Sequence, residues 1–193
     1  MKIKYVAGLI ALTVMCLAAL KPTQGQVSAN RSRVFFVKIT GSQKIGPFRG
    51  ESLLKGHQDW IEGIRFSSQV TSPRDAATGQ PSGKRQYSPI TFTKVWGPSS
   101  PQIFQACVTN EVLSTVKFEF WTTISGGQEV MYQTIILTNA TVSSFRRSIG
   151  VPMGNEPADP RDLEDVSLTF QKIEITDNAK GGITAMDDWM VTR

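Results

Sequence analysis

The sequence predicts a mainly β protein, a closed or nearly closed antiparallel β-barrel of two packed sheets that carries one short α-helix. Strand patterns, in which apolar and polar residues alternate, occur on both sides of a short helix-start signal. Two later segments, 130–145 and 163–176, are rich in β-branched residues and contain no helix signal. The composition, 40% hydrophobic and 19% charged over 193 residues, suits one globular domain with a real core.

The central stretch, residues 90–120, predicts a strand, a helix and a second strand in succession. In the first strand, Ile90, Phe92 and Lys94 fall on one face, because side chains alternate along a strand. After the helix the alternation resumes at residue 115, with apolar residues at 116, 118 and 120 on one side. One helix is therefore laid across strands.

The helix in this stretch has a start signal and a stop signal. Ser99 and Ser100 offer hydroxyls to the free amides of the first turn, which holds Pro101. Asn110 supplies a stop. Two apolar pairs, each four residues apart, give the helix one apolar face: Ile103 with Cys107, and Phe104 with Val108.

The predicted strand at 163–176 changes face along its length. Val166, Leu168 and Phe170 share one parity, whereas Ile173 and Ile175 have the other. We expect a bulge near residues 171–172, because a bulge restores the inward side and bends the strand at a barrel rim.

The first thirty residues predict a secretory leader. Lys2 and Lys4 precede a mostly apolar run at 6–20, and a polar segment follows. A transmembrane anchor is the alternative, but the run is shorter than the roughly 20 residues that a spanning helix needs. Cleavage after Gly25 or Ala29 fits the preference for small residues. We therefore expect a leader and polar spacer at 1–29, a barrel domain at 30–193, and a secreted or periplasmic protein without a stable membrane anchor.

The charge balance argues against a nucleic-acid partner. The formal net charge is +5, but Lys2, Lys4 and Lys21 belong to the predicted leader. Without these three, 18 basic residues face 16 acidic ones, and the basic residues are scattered rather than grouped in a stripe.

Signals for catalysis, metals and cofactors are weak. The single histidine, His57, is interpreted as a solvated loop residue, and no Gly-x-Ser-x-Gly elbow is present. After the leader one cysteine, Cys107, and one histidine, His57, remain, and they cannot make a closed zinc site, although oxygen ligands could hold calcium; one cysteine cannot form an intramolecular disulfide. No glycine-rich phosphate cradle follows a strand. We predict no enzymatic activity, no cofactor and no metal site, and we interpret the densest acidic cluster as a solvated loop edge: Asp159, Asp162, Glu164 and Asp165.

The central stretch and six flanking segments resemble, in the same order, the hemolysin-coregulated protein (Hcp) family, the ring-forming tube protein of bacterial type VI secretion. The resemblance covers about residues 34–192. The flanking segments are FVKIT at 36–40, RGES at 49–52, WIEGIRFS at 60–67, YQTIIL at 132–137, TVSS at 141–144 and LEDVSLTFQKI at 163–173.

The resemblance implies a structural, non-catalytic protein that self-assembles into rings, hexameric in the family, which stack into a secretion tube. The implied partners are copies of the same chain, the secretion spike and effector proteins. Typical members lack a leader and reach the outside through the secretion machine. The leader predicted here is therefore a departure from the family pattern.

The segment at 72–88 is rich in glycine, proline, serine and charge and lacks an apolar period. It predicts a long exposed loop, and loops of more than about 15 residues are usually functional or disordered. In Hcp rings the corresponding loop reaches a neighbouring ring. The resemblance thus implies ring-stacking contacts from Arg74, Lys84, Arg85 and Tyr87, with a floppy linker as the alternative.

A second function class stays open, a secreted monomeric β-barrel that binds a ligand such as a glycan. Its site would lie near Trp96, Trp121 or Trp189, and the Asp187-Asp188 pair beside Trp189 resembles a carboxylate and aromatic pairing used for sugars. A hydrolase is the third interpretation. Oligomer size separates the first two classes, because one predicts a ring and the other a monomer.

Overall fold

Ten β-strands and one α-helix form within residues 33–42, 45–149, 161–179 and 181–191, which the computed structural model describes. The predicted leader and most of the proline-rich segment at 150–162 lie outside these residues. The elements are β1 Arg33–Thr40, β2 Ile61–Ser67, β3 Val70–Thr71, β4 Gln86–Tyr87, β5 Ile90–Val95, α1 Ser100–Thr109, β6 Leu113–Thr123, β7 Glu129–Ser148, β8 Leu163–Thr169, β9 Lys172–Asp177 and β10 Ile183–Asp188.

Six strands close into an antiparallel barrel. The order around it is β7, β6, β1, β2, β5 and β8, and the pairing of β8 with β7 completes the circle. Every pairing is antiparallel, so closure leaves no free edge within these six strands. The predicted fold class, a mainly β barrel with one short helix, is confirmed.

Strand β7 is long enough to pair with strands of the barrel and with a strand outside it. Its second half, from Thr141 to Ser148, pairs with β8 in the barrel wall. Its first half pairs with β6 on one side and, from Gln133 to Thr138, with β9 on the other. Strand β10 then pairs with β9 and forms the outer edge of the sheet. We call the β9–β10 pair the flap.

Phenylalanines and aliphatic residues at inward positions fill the barrel. In β6, Val116 and Phe118 are fully buried, as the alternation predicts. The Phe118 ring lies 5.2 Å from that of Phe66 and 5.7 Å from that of Phe92, in edge-to-face arrangements. Gly63 in β2 leaves room for the Phe35 ring, which stacks on Phe120 at 5.4 Å, because a Cβ at Gly63 would lie 1.9 Å from that ring.

Helix α1 ends as predicted but does not begin as predicted. Asn110 adopts the left-handed conformation that ends the helix, at φ 52°. Ser99 occupies the N-cap without a side-chain cap bond, so the expected hydroxyl caps are wrong. The Ser100 hydroxyl instead accepts the Gly97 N–H and donates to Glu164. In the described part of the chain no helix is long and apolar enough to cross a bilayer.

The predicted apolar face of α1 is only partly correct. Ile103 is buried, together with Ala106, whereas Phe104 and Val108 are more than half exposed. The inward stripe therefore follows positions 103 and 106, and the second predicted pair faces away from the core.

The change of face near residue 171 occurs, but as a break between strands rather than as a bulge. β8 ends at Thr169 and β9 begins at Lys172. Between them the Gln171 N–H donates to the Thr138 carbonyl, and the chain passes from the second half of β7 to the first half. The predicted single strand at 163–176 is therefore two strands.

Candidate assembly surfaces

The segment at 72–88 folds as an exposed hairpin. Strands β3 and β4 pair at its base, and Arg74 bridges to Pro81 farther out. At the tip the Asp75 carboxylate accepts hydrogen bonds from the Ala77 and Thr78 N–H groups and from the Thr78 hydroxyl. These hydrogen bonds hold the pKa of Asp75 below its ordinary value. We call residues 70–87 the projecting hairpin.

The root of the projecting hairpin is tied to the end of the flap. The Arg85 guanidinium donates to the Asp187 carboxylate and, at 2.9 Å, to the Asp188 carbonyl. The Tyr87 hydroxyl donates to the same Asp187 oxygen at 2.8 Å. Burial opposes ionisation of Asp187, but these two donors outweigh it and hold its pKa below the ordinary value. The hairpin direction is therefore fixed by the flap.

The four residues predicted at the stacking loop divide into two pairs. Arg85 and Tyr87 are hydrogen-bonded to the flap, and both also approach the Trp189 ring, at 5.6 Å in each case. Arg74 lies near the tip, where its guanidinium donates to the Gly79 carbonyl at 3.1 Å, and Lys84 is exposed. Their contact with a neighbouring ring stays a prediction.

Two groups of apolar side chains face solvent on the folded protomer. The flap patch consists of Ile183 and Met186, which point to opposite faces of the edge strand β10, and of Met190 just after that strand; they are 73%, 54% and 77% exposed. The helix patch consists of Phe104, Val108 and Val112, which are about half exposed. Exposed apolar side chains on an edge strand and on a short helix are candidates for contact with another chain.

His57 is not a solvated loop residue, which corrects the prediction. Its ring stacks on Phe36 with centroids 4.2 Å apart, meets Trp60 and Trp121 edge-on, and is only 12% exposed. His57 Nε2 lies 2.9 Å from a Glu119 carboxylate oxygen. Burial opposes ionisation of Glu119, but hydrogen bonds from Lys117 and His57 hold its pKa below the ordinary value. His57 thus fastens the loop before β2 to the outer face of β1 and β6.

A charged pair is buried at one end of the barrel. Lys94 and Glu164 are both fully buried, and Lys94 Nζ lies 3.0 Å from Glu164 Oε1. The Ser100 hydroxyl donates to the same oxygen at 2.8 Å, and Lys94 Nζ donates to the Val95 carbonyl at 2.6 Å. These bonds satisfy Lys94 Nζ and Glu164 Oε1, whereas the buried Glu164 Oε2 has no hydrogen bond and lies 3.6 Å from Arg147 Nε.

The acidic cluster predicted as a solvated loop edge is therefore partly inside the protein. Glu164 is fully buried, and Asp165 accepts a hydrogen bond from the Thr93 hydroxyl at 2.6 Å. Asp162 is exposed as predicted, and Asp159 lies outside the described residues. Glu164 is buried because its position in β8 points inward. Asp162 is exposed because it precedes the strand.

Glu51 of the Gly-Glu-Ser turn adds a second carboxylate beside this pair. Its Oε1 accepts the Glu62 N–H at 3.0 Å, and its Oε2 lies 4.0 Å from Lys94 Nζ. Burial raises the pKa of Glu51, and the charge of Lys94 offsets part of the effect. The turn is thereby held against the end of β5.

The three tryptophans considered for ligand binding have separate environments. Trp96 donates its indole N–H to the Leu163 carbonyl and packs under Arg147, whose guanidinium lies 4.1 Å from the ring. Trp121 packs on His57, and Trp189 packs on Tyr87. No group of three potential metal ligands occurs among the residues that the structure describes.

The buried Lys94–Glu164 pair and the His57–Glu119 pair are the features that the sequence reasoning missed. Lys94 shares strand parity with Ile90 and Phe92, and a lysine on an apolar face signals a buried anionic partner. His57 carried no comparable signal, because its partner Glu119 is 62 residues away.

Comparisons with known proteins agree with one another. The family model described as "Type VI secretion system effector, Hcp" matches residues 36–176. The chain is 30% identical over 162 residues to the "Major exported protein" of Pseudomonas aeruginosa, covering 80% of this chain and 94% of that protein.

Solved structures give the same result. A crystal structure of an Hcp protein superimposes with a TM-score of 0.74 at 28% identity, covering 83% of this chain and all of that one, 100%. The Hcp1 protein from E. coli EAEC 042 superimposes with a TM-score of 0.70 at 26% identity, covering 81% of this chain and 98% of that one. The chain therefore belongs to the Hcp family, as a structural and non-catalytic protein of the type VI secretion tube.

Proposed function

We propose that this chain closes into a ring of identical protomers, six by the family resemblance, and that the rings stack head to tail into a tube. The observation that supports this most directly is the asymmetry of the barrel. The projecting hairpin leaves at the Ile90 end of β5, and the Gly-Glu-Ser turn lies at the Val95 end. Unlike surfaces that bind each other make heterologous contacts, which build rings when the rotation closes and filaments when it does not.

The ring contact joins the flap patch of one protomer to the helix patch of its neighbour. The two patches differ in residues and in the elements that carry them, as a heterologous contact requires. The flap also ends in β10, an edge strand with Ile183 and Met186 exposed. An edge of this kind readily gains a partner from another chain.

Size-exclusion chromatography with light scattering tests whether the ring forms. We expect a ring-sized oligomer for the wild-type protein. We expect monomers for Ile183→Asp and for Phe104→Asp, because each substitution would bury a carboxylate in the ring contact. Ile124→Asp is the control, since Ile124 is also an exposed apolar residue, at 41%, and lies outside both patches. A wild-type protein that stays monomeric at high concentration would exclude the ring.

The projecting hairpin supplies contacts to the next ring. Arg74 and Lys84 are exposed for that contact, while Arg85 and Tyr87 hold the root in place. Deleting residues 74–86 is expected to leave rings intact and to abolish tubes in electron micrographs. A shorter deletion of 76–79 keeps Arg85 and separates loss of the tip from loss of the root. Unchanged tubes after the longer deletion would rule out this role.

Export and further partners complete the proposal. The name of the P. aeruginosa relative, a major exported protein, supports delivery of this chain to the outside. We extend the proposal to the secretion spike and effector proteins as partners and to a cleaved leader at 1–29. Mass spectrometry on protein from the producing cell is expected to find a first residue at 26 or 30, and a retained Met1 would contradict the leader.

A further inference from the structure

The edge strand β10 presents two different faces to solvent. Ile183 and Ala185 point to one face and Met186 to the other, because side chains alternate along a strand. On the first face β9 adds Asp177, which is paired with Ile183, and Ile175, which is paired with Ala185. Ile183 is 73% exposed and Ile175 is 37% exposed. We call these four residues the acidic flap face.

The two faces of the flap differ in their charges. On the Met186 face, Glu174 lies 3.6 Å from Lys172 Nζ, so this face carries a matched ion pair. On the acidic flap face, Asp177 is an exposed carboxylate beside the most exposed isoleucine of the flap. Asp187 has the same parity farther along β10, but it is bonded to the projecting hairpin. The acidic flap face thus combines apolar side chains with the carboxylate of Asp177.

The helix patch continues into a group of aromatic rings around an arginine. The Phe104 ring lies 6.1 Å from that of Phe145. The Arg147 guanidinium lies 5.7 Å from the Phe145 ring and 4.1 Å from the Trp96 ring, and its side chain is 46% exposed. Aromatic residues and arginine are enriched at the centres of protein interfaces. We call Phe104, Phe145, Arg147 and Trp96 the basic helix face.

The exposed charge around the basic helix face is positive. Arg146, next to Arg147, is exposed, and the exposed Arg49 lies beside α1 because its N–H donates to a glutamine of that helix. Arg161 and Asp162, both exposed just before β8, offset each other. The carboxylate that faces Arg147, that of Glu164, is fully buried. The two faces therefore carry opposite charges beside exposed apolar side chains.

Strand β7 keeps the two faces of one protomer apart. Asp177 is paired with Gln133 near the start of β7, and Phe145 and Arg147 lie near its end. At about 3.3 Å per residue, this separation along the strand is roughly 30–40 Å. An acidic flap face can therefore reach a basic helix face only on another chain. The two surfaces are unlike, so the contact is heterologous.

We propose that the acidic flap face of one protomer packs on the basic helix face of its neighbour in the ring, with Ile183 against Phe104 and Asp177 bonded to Arg147. This inference rests on the proposed function. It adds which face of β10 is buried in the ring contact and which ion pair sets the direction of the contact. Opposite charges favour the head-to-tail arrangement, and like faces repel each other.

Charge reversal on the flap tests the choice of face. Asp177→Arg is expected to raise at least about tenfold the protein concentration at which half of the chains are in rings, because it brings two cations together. Glu174→Arg is the matched control, since it makes the same change of charge on the opposite face of the flap. Light scattering over a dilution series measures both. An equal effect of the two variants would overturn the inference.

The reversed pair tests the partner of Asp177. Arg147→Glu alone is expected to weaken the ring as Asp177→Arg does, and the double variant Asp177→Arg, Arg147→Glu is expected to restore it, because the ion pair is rebuilt with its signs exchanged. Denaturant unfolding of each variant accompanies this measurement, since Arg147→Glu places a carboxylate beside Glu164. A folded double variant that assembles no better than Asp177→Arg would contradict the pair.

A cysteine pair tests the same contact without changing any charge. In a background without native cysteines (Cys16→Ser, Cys107→Ser), Phe104→Cys is combined with Ile183→Cys or with Met186→Cys, and the proteins are oxidised. We expect a ladder of disulfide-linked chains from the Ile183→Cys combination and none from the Met186→Cys combination. The reverse result, or no ladder from rings of the first combination, would overturn the inference.

The outcomes also separate the two proposals. Wild-type rings that are insensitive to Asp177→Arg would overturn this inference and leave the proposed ring intact. A wild-type protein that remains monomeric would overturn both.

Discussion

Two charged clusters at opposite ends of the barrel differ in how they serve the protomer. The Lys94–Glu164 pair is fully buried and ties β5 to β8 and to the start of α1. The Arg85–Asp187 pair is partly exposed, at 30% and 21%, and ties the projecting hairpin to the flap. The first lies inside the fold, and the second sets the position of a surface element.

The difference teaches which contacts control stability and which control assembly. Removing one partner of a buried pair leaves an uncompensated charge in the interior and is strongly destabilising. Removing a partly exposed pair changes global stability little, because water and salt already screen it. We therefore expect variants at the two ends to separate loss of folding from loss of stacking.

The largest effect is expected for Lys94→Met. It leaves the Glu164 carboxylate buried, with the Arg147 guanidinium 3.6 Å away as its remaining cation, and should lower the free energy of unfolding by about 3–5 kcal/mol. Denaturant unfolding measures this loss. Lys172→Met is the matched control, since its partner Glu174 is at the surface, and it should cost less than about 1 kcal/mol.

The double variant Lys94→Met, Glu164→Leu sharpens this prediction. It removes both charges, so most of the lost stability should return. A double variant as unstable as the single one would mean that lost packing, rather than the unpaired charge, causes the effect.

An intermediate effect is expected for His57→Ala. The change removes the ring stacked on Phe36 and leaves Glu119 with Lys117 as its partner. We expect a loss of about 1–3 kcal/mol, measured by denaturant unfolding. Lys55→Ala, in the same loop but exposed, should change stability by less than about 0.5 kcal/mol. Equal losses of stability in the two variants would contradict a stabilising role for the buried His57 ring.

A smaller effect on stability is expected for Asp187→Asn. The global unfolding midpoint should hardly change, because the pair is at the surface. Amide hydrogen exchange in the root of the projecting hairpin should become severalfold faster, since Arg85 and Tyr87 lose their common acceptor. Exchange at the same rate as in wild type would show that the flap does not hold the hairpin.

The smallest effects are expected in pH profiles, and they have opposite signs at the two ends. The pKa of Asp187 is lowered, so its contribution is complete above about pH 3.8 and is lost as pH falls through the lower folded pKa. The pKa of Glu51 is raised, so its contribution is present below 4.5 and is lost as pH rises through the higher folded pKa. The free energy of unfolding of the wild type relative to Asp187→Asn should therefore fall in acid. Relative to Glu51→Gln, it should fall toward neutral pH. Parallel profiles would contradict the assignment.

Local patterns in the sequence predicted the barrel, because side-chain alternation and turn signals are set by neighbouring residues. Asn110 was predicted as the helix stop for the same reason. The partners of Lys94 and His57 are 70 and 62 residues away, so no local pattern could identify them. Ser100 illustrates the same limit, since a tertiary acceptor, Glu164, takes the hydroxyl that a helix start would otherwise use.

Strand β7 continues from its pairing with the flap into the barrel wall, and this continuity has a mechanical consequence. No loop separates the two parts of this strand, and its irregularities at the junction are Asn139, with φ 50°, and a register shift between Val142 and Ser144. A load on the flap reaches the wall as shear along ladders of backbone hydrogen bonds, which bear it together. We therefore expect a force applied to the flap to be transmitted to the barrel wall through β7.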